Sequence, residues 1–559
     1  MANPVGAAVN EPDLPPMSSD PFHGLLWEEE VLGLRPRWKY EPEISSIEKT
    51  MEAIHPSNAV QVKFLTEGGF NKIYKVHLNE ETYIMRVSLP VQPIHKTKSE
   101  VATLDWVCRK TDTPLPKILA WDATRNSEIG FEWILMTEVP GKPLADTWKR
   151  LSIGVKVNLV RRIAGLCASL WKNQLEMIGN IYPPGTTPDE SASAWKLTPT
   201  GQSILSPQSA TRSLSHSGTF LGSFVSSWEK RLHQGGSMHS TWRNRRDSSS
   251  TFDSNDTEQD IRDHSSWISN LMAKNQLKKI TDVLTSWMGP TKPNSPKSHP
   301  SADTLEGENN VPPNIGRIVS LGFLWGSHAR QNVDTGPFRT SYEWMNARLA
   351  FARNDCDELL ARYRAEEMNG NERSRDIRNV ESTQEIISKL ETLAGRIFPQ
   401  TTHFPEPSVI THDDLNNHNI MVDDKGELMG ILDWECVSAL PLWKACYYPQ
   451  FLQGHNRRII PLSNMYEAHD SESYNELVGY SHDLLEWEQT ILRQIFIAEM
   501  NELAPDWVEV FSRSQLQRDF DAALQYADCW FAKEPIGTWL GEVLGGNLNP
   551  QSLREQLGR

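Results

Sequence analysis

Between residues 60 and 90 the apolar positions gather into three short runs, "VQVKFL", "KIYKVHL" and "TYIMRVSL", rich in β-branched and aromatic residues. Polar "TEGGFN" and "NEE" stand between them, which predicts an antiparallel meander with one glycine-bearing turn. "KSEVATLDWVCRK" then changes the period, spacing Val101, Leu104, Trp106 and Val107 as a helix does. "PLPKILAWDA" and "FEWILMTEV" add two further strands. Past Gly141 the pattern turns helical, with a buried helix expected over Val157 to Trp171.

From about 187 to 312 Ser, Thr, Asn, Asp, Pro and Gly dominate, as in "RNRRDSSSTFDSNDTEQD". Such a stretch cannot bury enough apolar area to offset its ordering entropy and is expected to be disordered. One piece departs from that composition. Trp267, Leu271, Leu277, Ile280, Leu284 and Trp287 fall near one helical face. An amphipathic helix near 265–288 is expected, docked in cis on its own chain, bound to a protein partner, or laid on a membrane surface. "RNRRDSSS" is read as inert polar linker, with a site for a basophilic kinase as the other reading.

Strand-like "IGNIY" at 178–182 and "IGRIVSLGFLWG" from 315 flank the insert. If the two pair, the insert becomes the tip of a hairpin, where length costs little because closure entropy grows logarithmically. Helices are expected at about 340–365 and 376–396 and through the last hundred residues. Residues 1–22 read as a disordered tail, and 23–58 as short helices bracing the strands that begin at residue 60.

Composition narrows the class. A net charge of −16 disfavours general binding to nucleic acid or to an anionic membrane. Six scattered cysteines without a CxxC argue against a disulfide framework or zinc site and fit a reducing compartment. No apolar run reaches 18 residues, so no membrane span is expected. "MANPVGAAVNEPDLPPMSSDPF" lacks the apolar core of a signal peptide and the arginines of a mitochondrial presequence, so a cytoplasmic protein is expected.

The chemistry concentrates in "HDDLNNHNIMVDD" at 412–424 and in "GELMGILDWE" just after it. Phosphoryl transfer needs oxygen ligands for Mg²⁺, a carboxylate facing the attacking hydroxyl, and cover for the phosphates. Asp414 and Asn419 stand five apart, as in a kinase catalytic loop of H-x-D-x-x-x-x-N form. Asp433 lies 14 residues beyond Asn419, after two strands joined by "DKGE". A hairpin of that length returns Asp433 beside Asn419, where the two can share a metal. An Asx-rich turn between strands is the bland alternative, and "DxxxxN" alone does not exclude it.

Taken whole, "HDDLNNHNIMVDD…GILDWE" resembles the motif of the aminoglycoside phosphotransferase and choline kinase family, relatives of the protein kinases. The wider pattern, "SEVAT…PLPK…ILM" and "LDWECVSALPLWKACYYPQFL", resembles a fungal branch of unassigned substrate. The resemblance implies an α+β, two-lobed protein-kinase-like fold. A five-stranded antiparallel N-lobe with one helix spans 59–140, and a mainly helical C-lobe spans 141–186 and 313–559. The remainder is the 1–58 extension and the 187–312 insert.

The same resemblance implies an ATP- and Mg²⁺-dependent phosphotransferase acting on a hydroxyl of a small molecule. Asp414 is then the catalytic base, His412 supports its loop, and Asn419 and Asp433 are the metal ligands. Gly68, Gly69 and Asn71 form the turn that covers the phosphates. Glu100 is the ion-pairing glutamate of the helix, and backbone from Thr137 to Val139 meets the adenine edge. One position departs from the pattern. Arg86 stands on the third strand where most relatives place a lysine, and a planar fork is not a compact ammonium. Arg86 is expected to pair with Glu100 and touch phosphate, with Lys72 and Lys75 as possible helpers. An inactive kinase-fold binding module (a pseudokinase) is the alternative that this substitution motivates. Trp434, Glu435, Trp443 and the acidic C-terminal helices are candidate walls of an acceptor pocket, and the acidity hints at a cationic acceptor; core tryptophans and solvated charge are the stronger reading of any one of them.

Overall fold

The structure is a computed structural model, and it describes residues 20–30, 33–56, 59–184, 195–197, 203–204, 313–370, 372–400, 403–462 and 473–557. The amphipathic pattern at 265–288 and the "RNRRDSSS" stretch lie outside these residues.

The three apolar runs of the N-lobe become β3 (Val60–Glu67), β4 (Asn71–Leu78) and β5 (Glu81–Ser88), preceded by strands β1 (Leu25–Glu30) and β2 (Gly33–Trp38). Helix α1 (Ile44–Ile54) follows β2, and helix α2 (His95–Lys110) follows β5. Strands β6 (Ile118–Asp122) and β7 (Glu132–Thr137) complete the five expected. They pair antiparallel in the order β6-β7-β5-β4-β3, and Trp195–Leu197 and Ser203–Ile204 lengthen the sheet beyond β6.

Alternation does the local work. Tyr74, Val76 and Leu78 on β4 are buried with Ile47 and Met51 of α1 and Met85 and Leu135 of the sheet. Among its described residues the extension is helical only over α1. Ahead of it β1 and β2 form an antiparallel hairpin where the sequence pattern pointed to helices. Tertiary packing decides this: Leu25, Trp27 and Trp38 rest against the cluster of Phe70, Leu89, Val91 and Trp325. Isolated propensity is a weak guide for so short a segment.

The C-lobe is built around the helix Ile153–Trp171, whose first turn is capped by Ser152 accepting from the Val155 N–H. It packs with the long helix Ser473–Leu503 and with the strands that carry the 412–435 segment. A second cluster joins Ser341–Met368, Ser374–Ile397 and the C-terminal helices. A buried Lys156–Glu488 ion pair, 2.6 Å long, crosslinks the first two helices, with the Lys156 ammonium over the Trp148 ring.

The strands flanking the insert do pair. Asn180 faces Gly316, Ile181 faces Ile315 and Tyr182 faces Asn314, antiparallel. The approach is too close for side chains at two places. A Cβ on Gly179 would stand 2.2 Å from the Gly316 carbonyl, and one on Gly316 would press into the Tyr182 ring at 2.7 Å. The whole is the two-lobed, kinase-like α+β arrangement, with α2 and the glycine-bearing turn facing the 412–435 segment across a cleft.

Candidate active site

The strand Pro407–Thr411 delivers the chain to His412, and the hairpin Ile420–Val422 with Leu428–Ile431 carries it on to Asp433. The Leu432 N–H donates to the Asn419 carbonyl at 2.8 Å, so the hairpin closes where the 14-residue spacing requires. Asn419 in turn donates from Nδ2 to the Asp414 carbonyl at 2.8 Å and to its carboxylate at 3.1 Å. Asn416 gives the same carboxylate a second donor at 2.8 Å. Asp414 and Asp433 open onto one cavity of about 590 Å³, which Gly69, Asp413 and Glu435 also line.

His412 is buried beneath this loop, edge-on to the Trp434 ring. Its Nε2 lies 2.9 Å from the Leu432 carbonyl. A carbonyl only accepts, so Nε2 carries the proton, and the buried Nδ1 has no hydrogen-bond partner among the described residues. Burial pushes the ring pKa down to about 4, and His412 is neutral in the fold. It ties the start of the 412–419 loop to the residue preceding Asp433.

Asp433 takes a left-handed backbone, φ 63°, which an Asp tolerates better than a bulky residue would. Its side chain is 38% exposed to the cavity. Partial burial and the charge of Glu435 push its carboxyl up, against the pull of Arg86.

Arg86 sits on β5 with a side chain 7% exposed, and its fork meets three carboxylates. Nη1 lies 2.9 Å from Glu100 and 3.5 Å from Asp433, and Nη2 lies 2.5 Å from Glu435. The expected Arg86–Glu100 pair is therefore formed. Lys72 and Lys75 point elsewhere: Lys72 pairs with Glu41 and Glu67, and Lys75 with Glu138. The second cation of the cleft is Lys96, on the first turn of α2 and 1% exposed, 2.6 Å from Glu435. Burial works against ionisation of Glu435, yet Arg86 and Lys96 outweigh it and hold the carboxyl down at about 2.

In the glycine-bearing turn the Gly68 N–H donates to the Asn71 carbonyl at 2.8 Å. A Cβ at Gly68 would meet only that carbonyl oxygen, at 3.9 Å. The fold itself would admit a side chain there, so what the glycine provides is open space over the cleft. Asn71 reaches across to Glu435, 2.8 Å from Nδ2. At the hinge, Thr137 is spent inside the sheet: its N–H donates to the Lys117 carbonyl and its hydroxyl accepts from the Lys117 N–H, both at 2.9 Å. Val139, just beyond, packs over Gly430 and has a backbone that no described residue engages.

The profile of the phosphotransferase enzyme family (APH) matches residues 61–194 and 331–443. The matched residues take in the five-stranded sheet and the 412–435 segment. A subtelomeric hrmA-associated cluster protein of Aspergillus fumigatus is 31% identical over 121 residues, 21% of this chain and 24% of that protein. Altered inheritance of mitochondria protein 9 of Saccharomyces cerevisiae, a mitochondrial protein, is 27% identical over 150 residues, 24% of each chain. These alignments thus span about a quarter of the relatives' length. Among solved structures, a thermostable mutant of aminoglycoside phosphotransferase APH(4)-Ia aligns over 89% of this chain and 99% of its own, at 10% identity and TM-score 0.32. Spectinomycin phosphotransferase APH(9)-Ia, solved with ADP and spectinomycin, aligns over 88% and 98%, at 8% identity and TM-score 0.28.

Around this site several residues carry contacts that the sequence alone did not show. Glu435 does not serve as a pocket wall alone; it anchors both buried cations and Asn71. Trp434 and Trp443 are core residues, donating from Nε1 to the Ile431 carbonyl and the Ser341 hydroxyl. Lys96 gave one available signal, lying four residues before Glu100 and hence on the same helical face. Asn180 gave none. Fully buried, it donates to the Ser99 hydroxyl and the Val437 carbonyl and accepts from the Val319 N–H and the Ser438 hydroxyl. It thereby joins α2, the base of the insert and the loop after Glu435.

Proposed function

We propose that the protein transfers the γ-phosphoryl group of ATP, with Mg²⁺, to a hydroxyl of a small molecule. The observation that carries this is the hydrogen-bonded convergence of Asp414, Asn419 and the Asp433 loop beside a buried Arg86–Glu100 pair. Asp414 would accept or orient the proton of the acceptor hydroxyl. With Nδ2 spent on Asp414, the atom Asn419 has left to offer is Oδ1. That amide oxygen and the Asp433 carboxylate are the hard donors Mg²⁺ selects, with further positions left to water and phosphate. The ion, when bound, would neutralise charge on the β- and γ-phosphates.

Arg86 would hold the phosphates from the N-lobe side, and Gly68, Gly69 and Asn71 would cover them. The adenine edge would meet the Val139 backbone rather than that of Thr137. A working site is supported by the Arg86–Glu100 pair at 2.9 Å, which reproduces with a guanidinium what a lysine does elsewhere. The cavity continues from Asp414 to Tyr447, Tyr448 and Trp507, with Asp355, Asp376 and Asp528 on its walls. Aromatic faces and carboxylates together suit an acceptor that bears an amine as well as the hydroxyl. A cytoplasmic setting fits the acidic charge, and among the described residues no helix is long and apolar enough to cross a membrane.

The test is incubation of purified protein with ATP, Mg²⁺ and a library of hydroxyl-bearing metabolites, read by mass gain of one phosphoryl group. Asp414→Asn is the control. Nucleotide binding with no acceptor phosphorylated and no ATP turnover would instead identify a non-catalytic binding module.

A further inference from the structure

Lys96 is among the most completely buried side chains of the molecule, and its ammonium has three partners on three different elements. Nζ lies 2.6 Å from Glu435 Oε2, 2.9 Å from Asn71 Oδ1 and 3.2 Å from Ser88 Oγ. Asn71 closes the glycine-bearing turn by accepting from the Gly68 N–H, and it also donates to Glu435. Ser88, at the end of the strand that carries Arg86, donates to Asn71 Oδ1 at 2.9 Å. Glu435 belongs to the opposite lobe, two residues past Asp433.

The charges require such a group. Glu100, Asp433 and Glu435 surround Arg86, three carboxylates against one guanidinium. A buried carboxylate left without a cation is strongly unfavourable, and Lys96 supplies the second positive charge. It does so from the start of α2, where its three N–H donors are shared between the lobes rather than within one. Removing it would leave Glu435 to compete for Arg86 and would leave Asn71 Oδ1 with Ser88 as its donor.

We propose that Lys96 is a positioning residue of the phosphate site: it clasps the Gly68–Asn71 turn and β5 onto Glu435, setting the height of the flap above Asp433. This rests on the nucleotide-binding reading above, and it assigns the cation duty of the cleft to two residues. Arg86 faces the ligand; Lys96 holds the frame in which Arg86 works.

The test uses full-length protein and MgADP as the probe. Lys96→Met, Glu435→Gln and the double variant are compared with wild type by calorimetric Kd, with the melting temperature recorded separately. Each single change is expected to weaken MgADP binding by roughly tenfold, and the double variant by no more than either single one, because both break one clasp. Effects that multiply, or a folded Lys96→Met that binds MgADP as wild type does, would overturn the proposal. Should Lys96→Met not fold, hydrogen exchange in Glu435→Gln decides. Amides of the Gly68–Asn71 turn are expected to lose protection without nucleotide, and unchanged protection would overturn the clasp. Wild-type protein that fails to bind MgADP would sink the nucleotide reading instead, while the exchange experiment still judges the clasp.

Discussion

Asn419 donates its amide N–H to Asp414 twice, once to the main-chain oxygen and once to the carboxylate. The amide proposed as a metal ligand is thus also the brace that orients the carboxylate proposed as the base. Loss of either side chain therefore has distinguishable consequences.

Asp414→Asn keeps the size of the side chain and an oxygen for Asn419, but removes the charge that draws the hydroxyl proton. Turnover is expected to fall by about 10²–10⁴-fold. MgADP affinity should stay within roughly threefold, since Asp414 is given no part in holding nucleotide. Steady-state phosphorylation assays beside calorimetry check both halves.

Asn419→Ala removes both the brace and an oxygen ligand. The Mg²⁺ concentration for half-maximal activity is expected to rise by about 10–100-fold. A magnesium titration at saturating ATP reads this directly. An unchanged magnesium requirement would move Asn419 out of the metal site.

Lys156 and Glu488 make a different kind of prediction, about stability alone. Both side chains are at most 2% exposed, far from Asp414 in sequence and on helices that hold the C-lobe together. Lys156→Met takes the cation away from a buried carboxylate and is expected to cost about 3–5 kcal/mol in urea unfolding. Lys156→Met with Glu488→Leu should recover most of that loss, because an apolar pair of similar volume strands nothing.

His412 links stability to acidity. An unfolded histidine takes its proton near 6.5, whereas His412 holds off until about 4 because it is buried. Between those values the unfolded chain binds more proton, so folding stability falls as pH drops from about 7 towards 4. Below that the dependence on this group ends. The full loss from His412 is on the order of 3 kcal/mol. His95, lowered to about 4 by burial and by Arg317 and Lys98, acts in the same direction. His412→Gln, with an amide N–H to offer Leu432, should flatten part of the slope in melts taken from pH 7 to pH 5.

The parts of the fold that were legible in sequence are those where local pattern and tertiary demand agree. The alternation in "KIYKVHL" is the alternation of a strand with one face on α1, and the 14-residue return to Asp433 needs only a hairpin. The pairing of "IGNIY" with "IGRIV" was legible for the same reason. The β1–β2 hairpin was not, because its apolar side chains are explained by Phe70 and Trp325, distant in sequence. In the site, residues carrying a known spacing were found, and those defined by a partner were not. Lys96 has meaning only once Glu435 is beside it, and the bonds that tie the Thr137 N–H and hydroxyl to Lys117 are visible only in the fold. Ion pairs across a cleft leave no period in the chain.

Tyr182 and Asn314 face each other at the open end of a three-rung ladder, with 131 residues of chain between them. A doorway of that kind sets the two ends side by side whatever is strung between them. Past the two short strands at 195–197 and 203–204, natural variation can therefore lengthen, shorten or exchange the text at little energetic penalty, and an engineer could splice a reporter there. Because Asn180, on the same ladder, bonds to α2 and to the loop after Glu435, cargo inserted at that point would be heard in the cleft if it strained the rungs.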